Sequence, residues 1–168
     1  MNLFFLRHGI AAELDTAGLA TDAARPLTPK GRRELRHTIR AWQAMELRCE
    51  VILSSPLVRA RQTAELVAAG LEAEKGLTLA EELKPGGSAQ KLVQKIAALT
   101  PAPKNILLVG HEPDLSRQIS LFVTGDADGG FALKKGGLAR LKTEHLQAGK
   151  CATLAWLLTP AQMRVMGK

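Results

Sequence analysis

Two short apolar segments, each leading into a histidine, constrain most strongly what this chain can fold into. The first, LFFLRHG, covers residues 3–9, and the second, NILLVGH, covers residues 105–111. Neither segment alternates apolar with polar residues, and continuous apolar runs are typical of strands that are covered on both faces. We therefore expect both segments inside a sheet that has helices on its two sides.

Further apolar runs alternate with helix-like segments along the 168 residues. The predicted strands are Leu3–Leu6, Val51–Ser54, Leu77–Leu79, Asn105–Val109, Gly137–Leu141 and Thr153–Leu158. One helix is predicted to start at Pro29 with Thr28 as its N-cap, and the others to cover Leu57–Ala69, Ala89–Leu99 and Leu115–Val123, with Ser88 and Asp114 as caps. This order predicts an α/β fold, with residues 1–168 as a single domain. Its central sheet is expected to be open and mostly parallel, with helices on both faces.

Polar side chains follow three of the predicted strands. Arg7, His8 and Gly9 end the first strand, Arg59 follows the second, and His111 ends the strand at 105–109. In an open α/β sheet, ligands bind at the carboxyl ends of the strands, so these side chains are expected to converge. Crowded cations repel one another unless an anion neutralises them, and the arginine fork matches the oxygens of a phosphate. The sequence therefore predicts a phosphate pocket, to which Ser54 and Ser55 contribute hydroxyl or backbone groups.

Two histidines in such a pocket indicate phosphoryl transfer. A neutral imidazole is a competent nucleophile towards phosphorus, and a second one, if protonated, stabilises charge on the transferring group. Gly9, which has no side chain, is expected to let the backbone lie close to that group. The sequence has no Walker loop, no D-x-D motif at a strand end and no carboxylate cluster. We therefore expect metal-free chemistry with no cofactor.

Four motifs occur in the order found in the histidine phosphatase superfamily: LRHG, RPLTPKG, SSPLVRARQTAE and LLVGHEPDL. The compact length and the later KKGGLARL resemble the SixA-type phosphohistidine phosphatases of that superfamily. This resemblance implies that His8 is the nucleophile that becomes phosphorylated. It implies that Arg7, Arg59 and His111 form the phosphate pocket, with Arg25 as an extra contact at its rim.

Other branches of the superfamily carry a carboxylate proton donor, and this chain departs from their patterns. The region of the mutase-like glutamate is the short AEELKPGGS, so Glu81 and Glu82 are expected to be solvated. In acid-phosphatase-like members an aspartate directly follows the second histidine. This chain has Glu112 at that position, which is a candidate proton donor.

Composition narrows the class of partner. The formal net charge is +7, which fits either an anionic partner or a solvated surface rich in arginine and lysine. The chain has no tyrosine and few aromatic residues, which argues against a nucleic acid partner, since base stacking needs exposed rings. It shows no signal peptide pattern and no apolar run long enough for a membrane span, so a cytoplasmic protein is expected.

The sequence thus predicts a metal-independent phosphatase that removes phosphate from phosphohistidine in signalling proteins, for example in a histidine-phosphotransfer domain. One alternative is a phosphatase of the same fold that hydrolyses small phosphomonoesters or nucleotides. The alternative from another class is a basic polyanion-binding protein without activity.

Overall fold

A computed structural model describes residues 1–14 and 21–167 of the chain. Its centre is a six-stranded sheet with strands β1 (Asn2–Arg7), β2 (Val51–Ser54), β3 (Leu77–Leu79), β4 (Asn105–Gly110), β5 (Leu138–Thr143) and β6 (Ala152–Leu158). The helices are α1 (Pro29–Ala44), α2 (Val58–Gly70), α3 (Ala89–Ala97), α4 (Asp114–Thr124) and α5 (Pro160–Met166). Single 3-10 turns cover Asp22–Ala24, Glu74–Gly76 and Glu81–Leu83.

The strands lie in the order β3-β2-β4-β1-β5-β6. Strands β3, β2, β4 and β1 run parallel, β5 is antiparallel to β1, and β6 is antiparallel to β5. The sheet is open and mostly parallel, as the sequence predicts. Because the four parallel strands share one direction, the residues that follow them meet at one edge, called here the carboxyl edge.

Each face of the sheet carries its own apolar core. Leu3 and Phe5 of β1 pack with buried residues of α3 and α4, whereas Phe4 and Leu6 pack with buried residues of α1, α2 and α5. Successive strand residues point to opposite faces, so a strand buried on both sides must be apolar throughout. The unbroken run LFFL is the sequence signature of this arrangement.

All six predicted strands are confirmed to within two residues, and two details of the helices differ. The prediction that Asp114 caps α4 is wrong: Pro113 is at the N-cap, and Asp114 is the first helical residue. The Asp114 carboxylate instead accepts a hydrogen bond from the Gly86 amide at 2.9 Å. Helix α5 is absent from the sequence predictions, although Thr159 and Gln162 form a capping box, which indicates the start of a helix.

Helix α1 packs directly on the segment that follows β1. Thr28 caps the helix by accepting from the Gly31 amide at 3.0 Å, and the Thr28 amide donates to the Ile10 carbonyl at 2.9 Å. A Cβ on Gly31 would collide with that same Ile10 carbonyl oxygen. Helix α1 thus fixes the chain immediately after His8. No helix in the described part of the chain is long and apolar enough to cross a membrane.

We predict that Gly31→Ala destabilises the protein. Alanine has the better helix propensity by about 1 kcal/mol. The collision is with backbone rather than with a flexible side chain, so the overpacking cost of about 1–3 kcal/mol prevails. Urea denaturation should show a lower free energy of unfolding.

Gly149→Ala is the matched control, because a Cβ there meets no atom within 4 Å. It should change the free energy of unfolding by less than about 0.5 kcal/mol, as is usual for surface substitutions. A Gly31→Ala protein as stable as this control would contradict the packing argument.

Candidate active site

The carboxyl edge brings the two histidines of the sequence motifs together. Arg7 and Gly110 are register partners in β1 and β4, and the His8 amide donates to the Gly110 carbonyl at 3.1 Å. The rings of His8 and His111, the residues that follow these strands' last positions, have centroids 5.1 Å apart. Both side chains are buried.

The hydrogen bonds of His8 define which of its ring nitrogens is free to react. Its Nδ1 lies 2.7 Å from the Gly9 carbonyl oxygen, which can only accept, so Nδ1 carries the proton. The neutral ring therefore has its lone pair on Nε2. That lone pair accepts a bond from Arg59 Nε at 3.3 Å.

The second histidine is oriented by Ser55. The Leu57 amide donates to Ser55 Oγ at 3.3 Å, and Ser55 Oγ lies 2.8 Å from His111 Nε2. A serine hydroxyl has one donor and two acceptor positions, so Ser55 Oγ can still either donate to His111 Nε2 or accept from it. The other ring nitrogen of His111, Nδ1, is buried without a hydrogen-bond partner among the described residues.

Arg59 is buried at the start of α2 and held by Asp22. Its Nη1 donates to the Asp22 carbonyl at 2.7 Å, and its Nη2 donates to the Asp22 carboxylate at 2.9 Å. The neighbouring Arg25 also donates to that carboxylate, at 2.7 Å. The bonds from Arg25 and Arg59 lower the pKa of Asp22, so it serves as an ionised counter-ion.

Arg7 reaches the site from the last position of β1. Its Nη1 donates to the Leu133 carbonyl at 2.8 Å, while its Nε is buried without a partner among the described residues. The Gly136 amide donates to the carbonyls of both Arg7 and His8 at 3.1 Å each. Gly136 has φ 75°, a conformation that favours glycine. The glycine in the KKGG segment therefore allows its amide to contact the end of β1.

Burial among cations keeps both imidazoles neutral. Desolvation, with smaller contributions from His111, Arg59 and Arg7, lowers the pKa of His8 from 6.5 to about 3. Desolvation and Arg59 lower the pKa of His111 from 6.5 to about 4. At neutral pH the site therefore offers the lone pair of His8 Nε2, the unpartnered Nδ1 of a neutral His111 and two guanidinium groups.

The remaining predicted residues lie at or near this site with contacts of their own. Both backbone polar groups of Gly9 are used by the protein, since its amide donates to Thr63 Oγ1 at 3.1 Å. A Cβ on Gly9 would press on Leu35, which is a packing reason for glycine here.

Arg25 donates to the Ala12 carbonyl and to Asp22, so it borders the site through Asp22. Glu112 is half-buried and accepts from Ser116 Oγ at 2.7 Å.

Two residues of the site are not found by sequence reasoning. Asp22 lies in a short 3-10 turn far from any strand end, and Thr63 lies one turn after Arg59 in α2. Thr63 Oγ1 also donates to the Arg59 carbonyl at 2.7 Å, so it links the helix to the Gly9 amide. The only sequence signal for Asp22 is its position three residues before Arg25 in the RPLT motif.

The expectation that Glu82 is solvated is wrong, since its side chain is 21% exposed and lies 3.5 Å from Lys95.

Comparison with known proteins identifies the family. A sequence model of the histidine phosphatase superfamily (branch 1) matches residues 3–84. An uncharacterised protein of Picosynechococcus is 39% identical over 144 residues, which cover 85% of this chain and 86% of that protein. The phosphohistidine phosphatase SixA of Escherichia coli is 27% identical over 166 residues, 98% of each chain. This chain belongs to the histidine phosphatase superfamily.

The structural comparison agrees with the family. The structure of the protein histidine phosphatase SixA complexed with tungstate superposes with a TM-score of 0.81 at 27% identity, covering 96% of this chain and 98% of that one. Together with the superfamily match, this similarity supports a phosphatase with the histidine phosphatase fold.

We predict that the two buried imidazoles make the protein sensitive to acid. The unfolded chain binds protons near pH 6.5, whereas the folded protein resists protonation of His111 and His8 until about pH 4 and 3. The stability that both groups contribute is present above pH 6.5 and is lost as the pH falls through this window. Each imidazole adds up to about 1.4 kcal/mol per pH unit to the slope.

The measurement is the free energy of unfolding by urea between pH 7 and pH 4, for the native chain and for His111→Gln. Carboxyl groups titrate in the same range in both proteins, so the difference between the two slopes isolates His111. A slope that is unchanged in His111→Gln would contradict the lowered pKa.

Proposed function

We propose that this chain is a cytoplasmic, metal-independent phosphatase that removes phosphate from phosphohistidine in signalling proteins. The observation that carries the proposal is the tautomer of His8, whose Nε2 lone pair faces Arg59 in a buried site rich in cations. The similarity to SixA over nearly the whole chain favours phosphohistidine over other substrates. A histidine-phosphotransfer domain is the proposed class of substrate protein.

The reaction proceeds in two displacements at phosphorus. In the first, His8 Nε2 forms a bond to phosphorus while the P–N bond to the substrate histidine breaks, and the departing imidazole takes up a proton. In the second, water attacks the phosphorus, the bond to His8 breaks, and inorganic phosphate leaves. Arg7 and Arg59 neutralise the oxygens of the transferring group, and His111, once protonated, donates to one of them through its unpartnered Nδ1.

Binding of the phosphoryl group replaces contacts that the free protein makes. In the structure, Arg59 Nε donates to the lone pair of His8 Nε2. Arg59 must donate to a phosphoryl oxygen instead before Nε2 can attack phosphorus. The added negative charge also offsets the repulsion that lowers the pKa of both histidines. With the phosphoryl group bound, the pKa of His111 rises. His111 can then become protonated as negative charge grows on the phosphoryl oxygens.

The choice of substrate follows from the leaving group. An alkoxide needs a strong proton donor, whereas an imidazole leaves as a neutral group once it is protonated by water or a neighbour. Glu112 is the one candidate acid of the sequence motifs next to His111, and its carboxylate accepts from Ser116. Phosphohistidine makes the smaller demand on such an acid.

We predict faster phosphate release from a phosphohistidine protein than from sugar phosphates or nucleotides. The substrate panel contains a histidine-phosphotransfer domain phosphorylated with phosphoramidate, free phosphohistidine, a sugar phosphate and a nucleotide. Brief reaction followed by isolation without acid should leave an acid-labile, base-stable phosphate on His8.

His8→Ala is the control and should abolish both turnover and labelling. A phosphate label on another residue, or turnover that survives in His8→Ala, would contradict the mechanism with His8 as the nucleophile. Alkyl phosphates as the better substrates would favour the small-molecule phosphatase, and anion binding without any turnover would favour the polyanion-binding protein.

We also predict that the arginines supply the positive charge that a metal provides in other phosphatases. Phosphate release should be unchanged by a chelator such as EDTA. Arg59→Ala should lower kcat by the equivalent of about 2–4 kcal/mol of transition-state stabilisation. Activity that is lost in chelator and restored by magnesium or manganese would refute metal independence.

A further inference from the structure

Helix α1 carries a row of cations along its exposed side. Lys30, Arg33, Arg36 and Arg40 are all exposed and recur at three- and four-residue spacing, so they form one line on the helix surface. This row is called here the basic stripe. Among the ion pairs of residues 1–14 and 21–167, none involves a member of it.

The stripe is unfavourable for the helix that carries it. Each member has a neighbour of like charge three or four residues away, which destabilises a helix. The first turn of α1 contains no acidic residue, although the amino end of a helix dipole favours negative charge and disfavours cations such as Lys30. The repulsion among these cations opposes folding of α1, and an anionic partner would relieve it.

The stripe begins beside the active site. Helix α1 starts at Pro29, and its cap residue Thr28 is hydrogen-bonded to Ile10, two residues after His8. From Lys30 to Arg40 the stripe extends over ten helical steps, or about 15 Å. Because α1 leads from the carboxyl edge back towards the start of β2, the stripe runs from the active-site edge along the side of the molecule. A partner that covers this side as well as the pocket would contact it.

Two features favour a folded protein over a nucleic acid or a membrane as the occupant. The far end of the stripe meets α5, where Gly167 lies against Arg40 and where Val165 and Met166 are 66% and 42% exposed. Exposed apolar side chains beside cations suit a protein surface better than a polyphosphate chain. The apolar side of α1 is buried in the core and is not available for insertion into lipid.

We propose that the basic stripe is the docking surface for the substrate protein, and that it recognises an acidic face next to the phosphohistidine. The inference rests on the proposed function, because the occupant is the phosphohistidine protein. The pocket around His8 binds the phosphoryl group itself, whereas the stripe selects the protein that carries it. Charges of this kind act mainly on the association rate and on its dependence on salt.

The test compares two variants with the same loss of charge. The stripe variant combines Lys30→Gln, Arg33→Gln, Arg36→Gln and Arg40→Gln. The control variant combines Arg48→Gln, Lys75→Gln, Lys104→Gln and Lys142→Gln, whose positions are exposed, unpaired among the described residues and located at the opposite edge of the sheet. The substrates are a phosphorylated histidine-phosphotransfer domain with an acidic surface and free phosphohistidine, which has the same chemistry and no docking face.

The stripe variant should raise KM for the protein substrate by about tenfold or more, with kcat unchanged, and should flatten its dependence on salt. Its activity on free phosphohistidine should remain within about twofold of the native value, since no side chain of the pocket changes. Its free energy of unfolding should be at least that of the native chain, because like charges are removed. The control variant should show a clearly smaller change in KM.

Equal changes in the two variants would overturn the docking surface, because net charge alone would then explain them. A rise in KM for free phosphohistidine, or a stripe variant that loses only DNA or lipid vesicle binding, would overturn it as well. Native enzyme that hydrolyses sugar phosphates but not phosphohistidine would refute the proposed function itself. Failure of the docking surface is therefore distinguishable from failure of that function.

Discussion

The arrangement of this site depends on burying cations beside imidazoles, with the Asp22 carboxylate as the counter-ion of Arg59. Arg7, Arg59, His8 and His111 meet at one edge of the sheet, and Asp22 is the acidic residue that bonds to Arg59. Two positive guanidiniums nearby make it costly to charge either imidazole, so both histidines stay neutral. In the proposed reaction that cost is useful, because only an unprotonated Nε2 can attack phosphorus. A bound phosphoryl group would add negative charge beside these cations and offset their repulsion.

The scaffold explains how such crowded groups are kept in register. Adjacent parallel strands fix the backbone of His8 against Gly110, and Gly136 clasps the carbonyls of Arg7 and His8 from the other side. Helix α1 packs on Ile10 and leaves the chain after His8 no freedom to turn. Backbone groups hold His8, and its tautomer is set by the Gly9 carbonyl at Nδ1 together with the Arg59 donor at Nε2. The rigid parts of the fold thus orient the reactive atoms before any substrate arrives.

The sequence predicts the strands and the two histidines because their signals are local. LFFL must be a strand covered on both faces, and the strand ends must meet at one edge if the strands are parallel. The strand order is not local, since β4 lies between β2 and β1 although it comes later in the chain. Asp22 escapes prediction for the same reason, because its contact with Arg59 joins residues 37 positions apart. The capping box of α5 shows the opposite case, where a local signal is present in the sequence and goes unused.

The docking surface proposed on α1 would separate binding of a protein substrate from chemistry. The pocket makes contacts that change as phosphorus moves between nitrogens, and such contacts act on kcat. Contacts along α1 are distant from the moving atoms and are equally strong in the ground state and the transition state. Interactions of that kind lower KM without accelerating the chemical step, and they select one protein among many that carry the same phosphoryl group. A shared set of histidines and arginines can therefore serve different substrate proteins, provided that each chain places its own charges beside the pocket.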